Sequence, residues 1–142
     1  MGNAGEKSKN AGEQRVEARY LTNENGERVG VVLEIEEYER LKRAAEEAQR
    51  MRRHPGIVFE GDGESRRATL ARSVFDVWEI VEMYQIEGPE TLLSAHPISE
   101  EQLETALRYY EEYPEEIDAI IEENARPPEY WMERYPELNW KR

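Results

Sequence analysis

The chain has 142 residues, room for one ordinary domain or two small ones, and carries 32 acidic against 19 basic side chains, a formal net charge of −13. That balance excludes non-specific binding to nucleic acid, and the lack of cysteine excludes disulfides, thiolate metal sites and cysteine nucleophiles. Apolar residues make up 38%, which is thin core material but too much for full disorder, and no apolar run approaches the roughly 18 residues of a membrane span.

The charge is uneven. Residues 1–54 hold 11 basic and 11 acidic side chains, whereas residues 55–142 hold 8 and 21, which accounts for the whole −13. Two modules are therefore expected. The opening "MGNAGEKSKNAGEQR" has no apolar core of a signal peptide, so a cytoplasmic location is expected, and residues 1–15 read as disordered.

From Val16 the pattern changes. Val16, Ala18 and Tyr20 alternate with Glu17 and Arg19, and Val29, Val31 and Leu33 alternate on a return strand. Asn25-Gly26 between them supplies the positive φ of a hairpin turn. Tyr38, Leu41, Ala45 and Ala48 then recur at helical spacing, so a helix is expected to cover the hairpin, ending at His54-Pro55-Gly56. This hairpin–helix, residues 16–54, has little to bury alone and needs a second copy or the next module.

Residues 57–72 read as a second short hairpin: "IVF", a turn "EGDGES", and "RATL". Helices follow. Ser73 with Asp76 is the expected capped start of one presenting Val74, Val77, Trp78, Val81 and Tyr84, with Trp78 as a core anchor. Gly88 ends it, Pro89 starts a short helix, and Pro97 breaks that. Ser99 with Gln102 makes a capping box before Leu103, Ala106, Leu107 and Tyr110. Pro114 breaks the chain again before "EEIDAIIEEN". The fold class is α+β: an N-terminal hairpin plus helix, then residues 55–124 as a short hairpin and a mainly α helix-turn-helix domain, and residues 125–142 as an aromatic tail.

Two stretches resemble known families. "YLTNENGERVGVVLEIEEYERL", Tyr20 to Leu41, resembles the second half of a Phd/YefM-type antitoxin. The strand-and-helix half that makes most DNA contacts in that family has no visible counterpart here, so the resemblance implies dimer building for residues 16–54. The second stretch is similar to an uncharacterised helix-turn-helix family of VapB-like antitoxins partnered with PIN-like ribonuclease toxins. The carrying residues are "RRA-L" (Arg66 to Leu70), "VWEIV" (Val77 to Val81), the "SEEQL-TAL-YY" helix and "YPEEIDA" (Tyr113 to Ala119), with a departure at Ala71-Arg72-Ser73 where that family has a Gly-Thr pair. The resemblance implies an antitoxin that neutralises a PIN-like toxin and binds operator DNA.

Candidate site residues fall in two groups. Arg66, Arg67 and Arg72 are the only Lys or Arg residues between Pro55 and Ile98, and Arg108 is the one cation on the longer helix. They are the candidate phosphate contacts, although Glu100, Glu101 and Glu104 beside Arg108 oppose a duplex. The alternative is a solvated surface paired with Asp62 and Glu64. The basic face at residues 40–53 has the same two readings.

The other group is the tail "PPEYWMERYPELNWKR", Pro127 to Arg142. Tyr130, Trp131, Met132, Tyr135, Leu138 and Trp140 are large apolar side chains in a proline-interrupted segment, and aromatic residues with arginine dominate binding hot spots. Arg126, Arg134 and Arg142 are the candidates to enter an acidic, metal-binding toxin cleft. The alternative is a C-terminal helix folded back over Val74 to Tyr84. His54 and His96 lie far apart without metal-ligand spacing, so no metal, cofactor, small-molecule substrate or catalysis is expected. A stand-alone DNA-binding regulator and a purely structural adaptor are the other function classes left open.

Overall fold

The computed structural model describes residues 6–8 and 16–138. It is α+β, and its contacts divide the chain into two units, Met1–Gln49 and Arg50–Arg142.

In the first unit, β1 (Glu6–Ser8), β2 (Val16–Thr22) and β3 (Arg28–Val32) form an antiparallel sheet in the order β1-β2-β3. Strand β1 lies within the stretch expected to be disordered; the rest of residues 1–15 is outside the described residues. The expected hairpin pairs Tyr20 with Val31 and Leu21 with Gly30, with a register shift between Leu21 and Thr22. Gly26 takes the left-handed conformation (φ +79). The turn is organised from Asn23, however, whose Oδ1 accepts hydrogen bonds from the amides of Asn25 (2.9 Å) and Glu27 (3.0 Å). This Asx turn makes a five-residue loop, 23–27, instead of a two-residue one centred on Asn25-Gly26.

Helix α1 (Ile35–Arg53) has Glu36 and Glu37 in its first turn and Arg50, Arg52 and Arg53 in its last, the polarity that a helix dipole favours. It was expected to cover the hairpin, and it does not: α1 buries none of its residues. Tyr38 and Leu41 stay exposed, as do Leu21, Val29, Val31 and Val32 on the strands. The alternation was real, but the sheet turns apolar side chains to both faces and a single helix cannot cover both.

The second unit begins with the last turn of α1. Strands β4 (Ile57–Glu60) and β5 (Arg67–Leu70) pair antiparallel, Ile57 opposite Leu70 and Glu60 opposite Arg67. Their turn contains one 3-10 turn, Gly63–Ser65. Gly61 there is obligatory: at φ +100 a Cβ would sit 2.6 Å from the Ser65 carbonyl oxygen.

Helix α2 (Val77–Glu87) is central and packs on β5, α3 (Pro89–Ala95), α4 (Glu100–Glu112) and α5 (Pro114–Asn124). The cap of α2 is Asp76 and not Ser73: the Asp76 amide donates to Glu79 Oε1 (2.9 Å), and Asp76 Oδ1 accepts from the buried Thr69 hydroxyl (2.9 Å). Asp76 thereby ties the start of α2 to β5. Val74 lies outside the helix and is 83% exposed, against the expectation that it faces the core. Ser99 and Gln102 form the expected capping box on α4, with mutual bonds of 2.9 and 3.0 Å. The short α3, the connection 96–99 and the longer α4 follow the expected helix–turn–helix order.

The core is made of Ile57, Leu70, Val77, Ile80, Val81, Leu92, Leu103, Ala106, Tyr109 and Ile117 with a few smaller contributors. Trp78 packs at its edge with its indole N–H on Asp76 Oδ2 (3.3 Å). Each fully buried Leu, Ile or Val contributes about 1.5–3 kcal/mol through apolar burial. The expected face of α4 is rotated slightly, so that Tyr109 is fully buried and Tyr110 only partly.

Candidate functional site

The tail leaves the core at Ala125, whose amide still donates to the carbonyls of Ile121 and Glu122. Pro127 is extended, Pro128 occupies the first helical position, and α6 (Pro128–Arg134) follows. Tyr135 caps it, its amide donating to the Trp131 carbonyl (2.8 Å), and Pro136 prevents another turn.

On this short helix the large side chains meet one another. Tyr130 and Trp131 are edge-to-face at 5.0 Å, and Trp131 stacks on Tyr135 at 6.2 Å with 13° between the planes. Two of the three expected arginines sit against these rings. Arg126 lies 4.6 Å from the Tyr130 centroid and pairs with Glu123 at 3.5 Å. Arg134 donates to the Tyr130 hydroxyl (2.7 Å) and lies 5.9 Å from the Tyr135 ring. Arginine over an aromatic face is favoured by the ring quadrupole.

No residue of α6 is buried, and Met132, Tyr135 and Leu138 are exposed, Leu138 by 53%. Among the described residues α2 packs chiefly on β5, α3, α4 and α5, and not on a tail helix folded over Val74 to Tyr84. Trp140 and Arg142, both named as docking candidates, lie outside the described residues.

The expected phosphate contacts do not converge. Arg66 donates to the Gly61 carbonyl (2.8 Å) and Arg67 to that of Glu64 (2.6 Å), both at the turn end of the β4–β5 hairpin. Arg72 lies in the turn beyond the opposite end of β5, whose span from Arg67 to Leu70 alone is roughly 10 Å at the rise of an extended strand. Arg108 stands 4.0 Å from Glu104 on α4, both well exposed.

Arg72 is the one non-glycine residue with positive φ (+59) among the described residues. It falls in the stretch Ala71-Arg72-Ser73, and the chain turns there without a glycine. Gln102 helps hold it: besides capping Ser99, its amide donates to the carbonyls of Ala71 (3.3 Å) and Arg72 (3.4 Å). An open cleft of about 480 Å³ lies alongside, between Gly56, Ala71 and Arg72 on one wall and Glu101, Gln102 and Thr105 on the other.

Set against family models, curated proteins and solved structures, the chain matches none. The site must therefore be read from its own residues.

Among the described residues, no group of three or more His, Asp and Glu side chains is arranged to hold a metal ion. His96 faces Glu87 at 3.1 Å, and His54 faces Glu112 at 2.6 Å. Sequence reasoning missed the cluster around the second pair. Arg50 Nη1 donates to the Tyr109 hydroxyl and to Glu116 Oε1, each at 2.7 Å, and Tyr109 donates to Glu116 Oε2 at 2.8 Å. Burial, and then the bond to Glu116, raises the Tyr109 phenol well above its ordinary range; burial works against the Arg50 charge, but Glu116 outweighs it and the guanidinium is held more firmly protonated than usual. The one signal in the sequence was Tyr109 at three residues from Ala106, with Glu116 seven residues on.

Proposed function

We propose that the chain is an antitoxin-like binding protein whose tail, residues 125–142, docks on and masks a PIN-like ribonuclease toxin. The observation that carries this reading is the tail itself. Tyr130, Trp131 and Tyr135 form a stacked cluster on α6 that buries no residue in its own fold and holds Arg126 and Arg134 against its rings. Aromatic side chains with arginine are what a binding hot spot is made of, and a cation presented this way suits an acidic, metal-binding cleft. In this reading the chain itself catalyses nothing and works in the cytoplasm. No helix among the described residues is long and apolar enough to cross a membrane.

Two further parts belong to the same reading. A homodimer through residues 16–53 is supported by the apolar side chains that the first unit leaves open, among them Val29, Val31 and Leu41. A sheet this small is marginal without cover. Operator DNA has narrower support. Arg66 and Arg67 lie apart from Arg72, and Arg108 stands among carboxylates. The basic residues of α1 would have to supply most of the phosphate contacts, so any DNA binding should fall steeply with salt.

The test is capture followed by an activity assay. The full chain, immobilised at moderate salt, should retain from source lysate a metal-dependent ribonuclease that is silent in the complex and active once released. A variant carrying Trp131→Ala and Arg134→Ala should retain at least tenfold less. Recovery of the same ribonuclease by both, or of none by either, contradicts the reading.

A further inference from the structure

The last turn of α1 and the residue after it, 50–54, lie on the junction of α4 and α5. Arg50 reaches Tyr109 on α4 and Glu116 on α5, and its guanidinium lies 4.0 Å from the Tyr113 ring centroid, at the junction itself. Arg53 pairs with one oxygen of Glu112, and His54 Nε2 meets the other at 2.6 Å. The His54 ring is edge-on to Tyr109 (5.4 Å) and Tyr113 (5.9 Å). These seven side chains, Arg50, Arg53 and His54 from the α1 end, Tyr109 and Glu112 from α4, Tyr113, and Glu116 from α5, make up the contact.

Charge fastens the turn alongside the ring contacts of Arg50 and His54, whose side chain is 11% exposed. No residue of α1 is buried, and Met51 within this turn is exposed. Two carboxylates, Glu112 and Glu116, pair with Arg50, Arg53 and His54. The core behind them, with Ile80, Leu92 and Leu103, is closed without any residue of this turn.

We propose that residues 50–54 are an acid-released strap: closed on the α4–α5 junction while Glu112 and Glu116 are ionised, and opened, with the core intact, when they are neutralised. The bond from His54, and next the charge of Arg53, hold the Glu112 carboxyl below its ordinary range. A depressed carboxyl contributes its attachment above the unfolded value and loses it as pH falls through the folded one. The Glu112 attachment of Arg53 and His54 is thus closed at neutral pH and opens on the acid side of the ordinary carboxylate range. Opening separates Arg50 from Glu116 and Arg53 from Glu112.

Substitution mimics the neutral state without acid. In the full chain, Glu112→Gln with Glu116→Gln is compared with the unsubstituted protein at neutral pH by amide hydrogen exchange. The His54 and Ile57 amides, which close the turn on the carbonyls of Arg50 and His54, should exchange at least tenfold faster, while Ile80 and Leu103 keep their protection. Glu112→Gln alone keeps the Arg50–Glu116 bond and should loosen His54 only; it decides the matter if the double variant does not fold. Unchanged protection at His54 and Ile57 overturns the proposal. So does equal loss in the core, which would make the turn an ordinary part of it.

Discussion

Helices α2–α5 and the tail helix α6 are built from similar material and treat it in opposite ways. Both carry tryptophan, tyrosine and prolines at helix starts. On α4, Tyr109 is fully buried, with its hydroxyl satisfied by Arg50 and Glu116. On α6, half-buried Tyr130 and Trp131 meet one another, Tyr135 and two arginines. The difference is positional. Leu103, Ala106 and Tyr109 fall on one face that meets α2, whereas α6 is a seven-residue helix boxed in by Pro127, Pro128 and Pro136, too short to lay a stripe along the core. A side chain's size does not say whether it is core. Its place in a repeating face does.

The comparison is sharpened most by a core cavity. Leu92, fully buried under α2, should lose about 2–5 kcal/mol of stability on Leu92→Ala in urea unfolding, because the lost methyls leave a void that the neighbours only partly fill. A cost below about 1 kcal/mol would mean that the second unit is no better packed than its tail.

A smaller effect, with the opposite sign, is expected at Arg72. Its left-handed backbone is strained for any residue but glycine, and Arg72→Gly should raise stability by about 0.5–1 kcal/mol in the same assay. Destabilisation instead would show that the Arg72 side chain contributes packing that outweighs the strain.

Much of the second unit was legible. Gly88-Pro89, the Ser99–Gln102 box and Pro114 each act through local chemistry that the residue types state directly. Where two local signals competed, the reading failed. Ser73 and Asp76 are both good caps, and Asp76 prevails because Thr69 on a neighbouring strand holds its carboxylate. The Arg50–Tyr109–Glu116 cluster joins positions far apart in the chain, and nothing local marks it. The first unit shows the other limit: alternation announced its strands correctly but could not say that α1 would leave them uncovered. Of the candidate site, the tail was visible as an aromatic run. The scatter of Arg66, Arg67 and Arg72 along one hairpin was visible only once β4 and β5 were paired.

The smallest effect is the most telling. Urea unfolding of the full chain should be compared with that of a chain ending at Ala125. Since no residue of α6 is fully buried, the two should agree within about 0.5 kcal/mol, leaving the aromatic cluster to serve a partner. A loss of more than about 2 kcal/mol on truncation would make the tail part of the core and contradict the docking account.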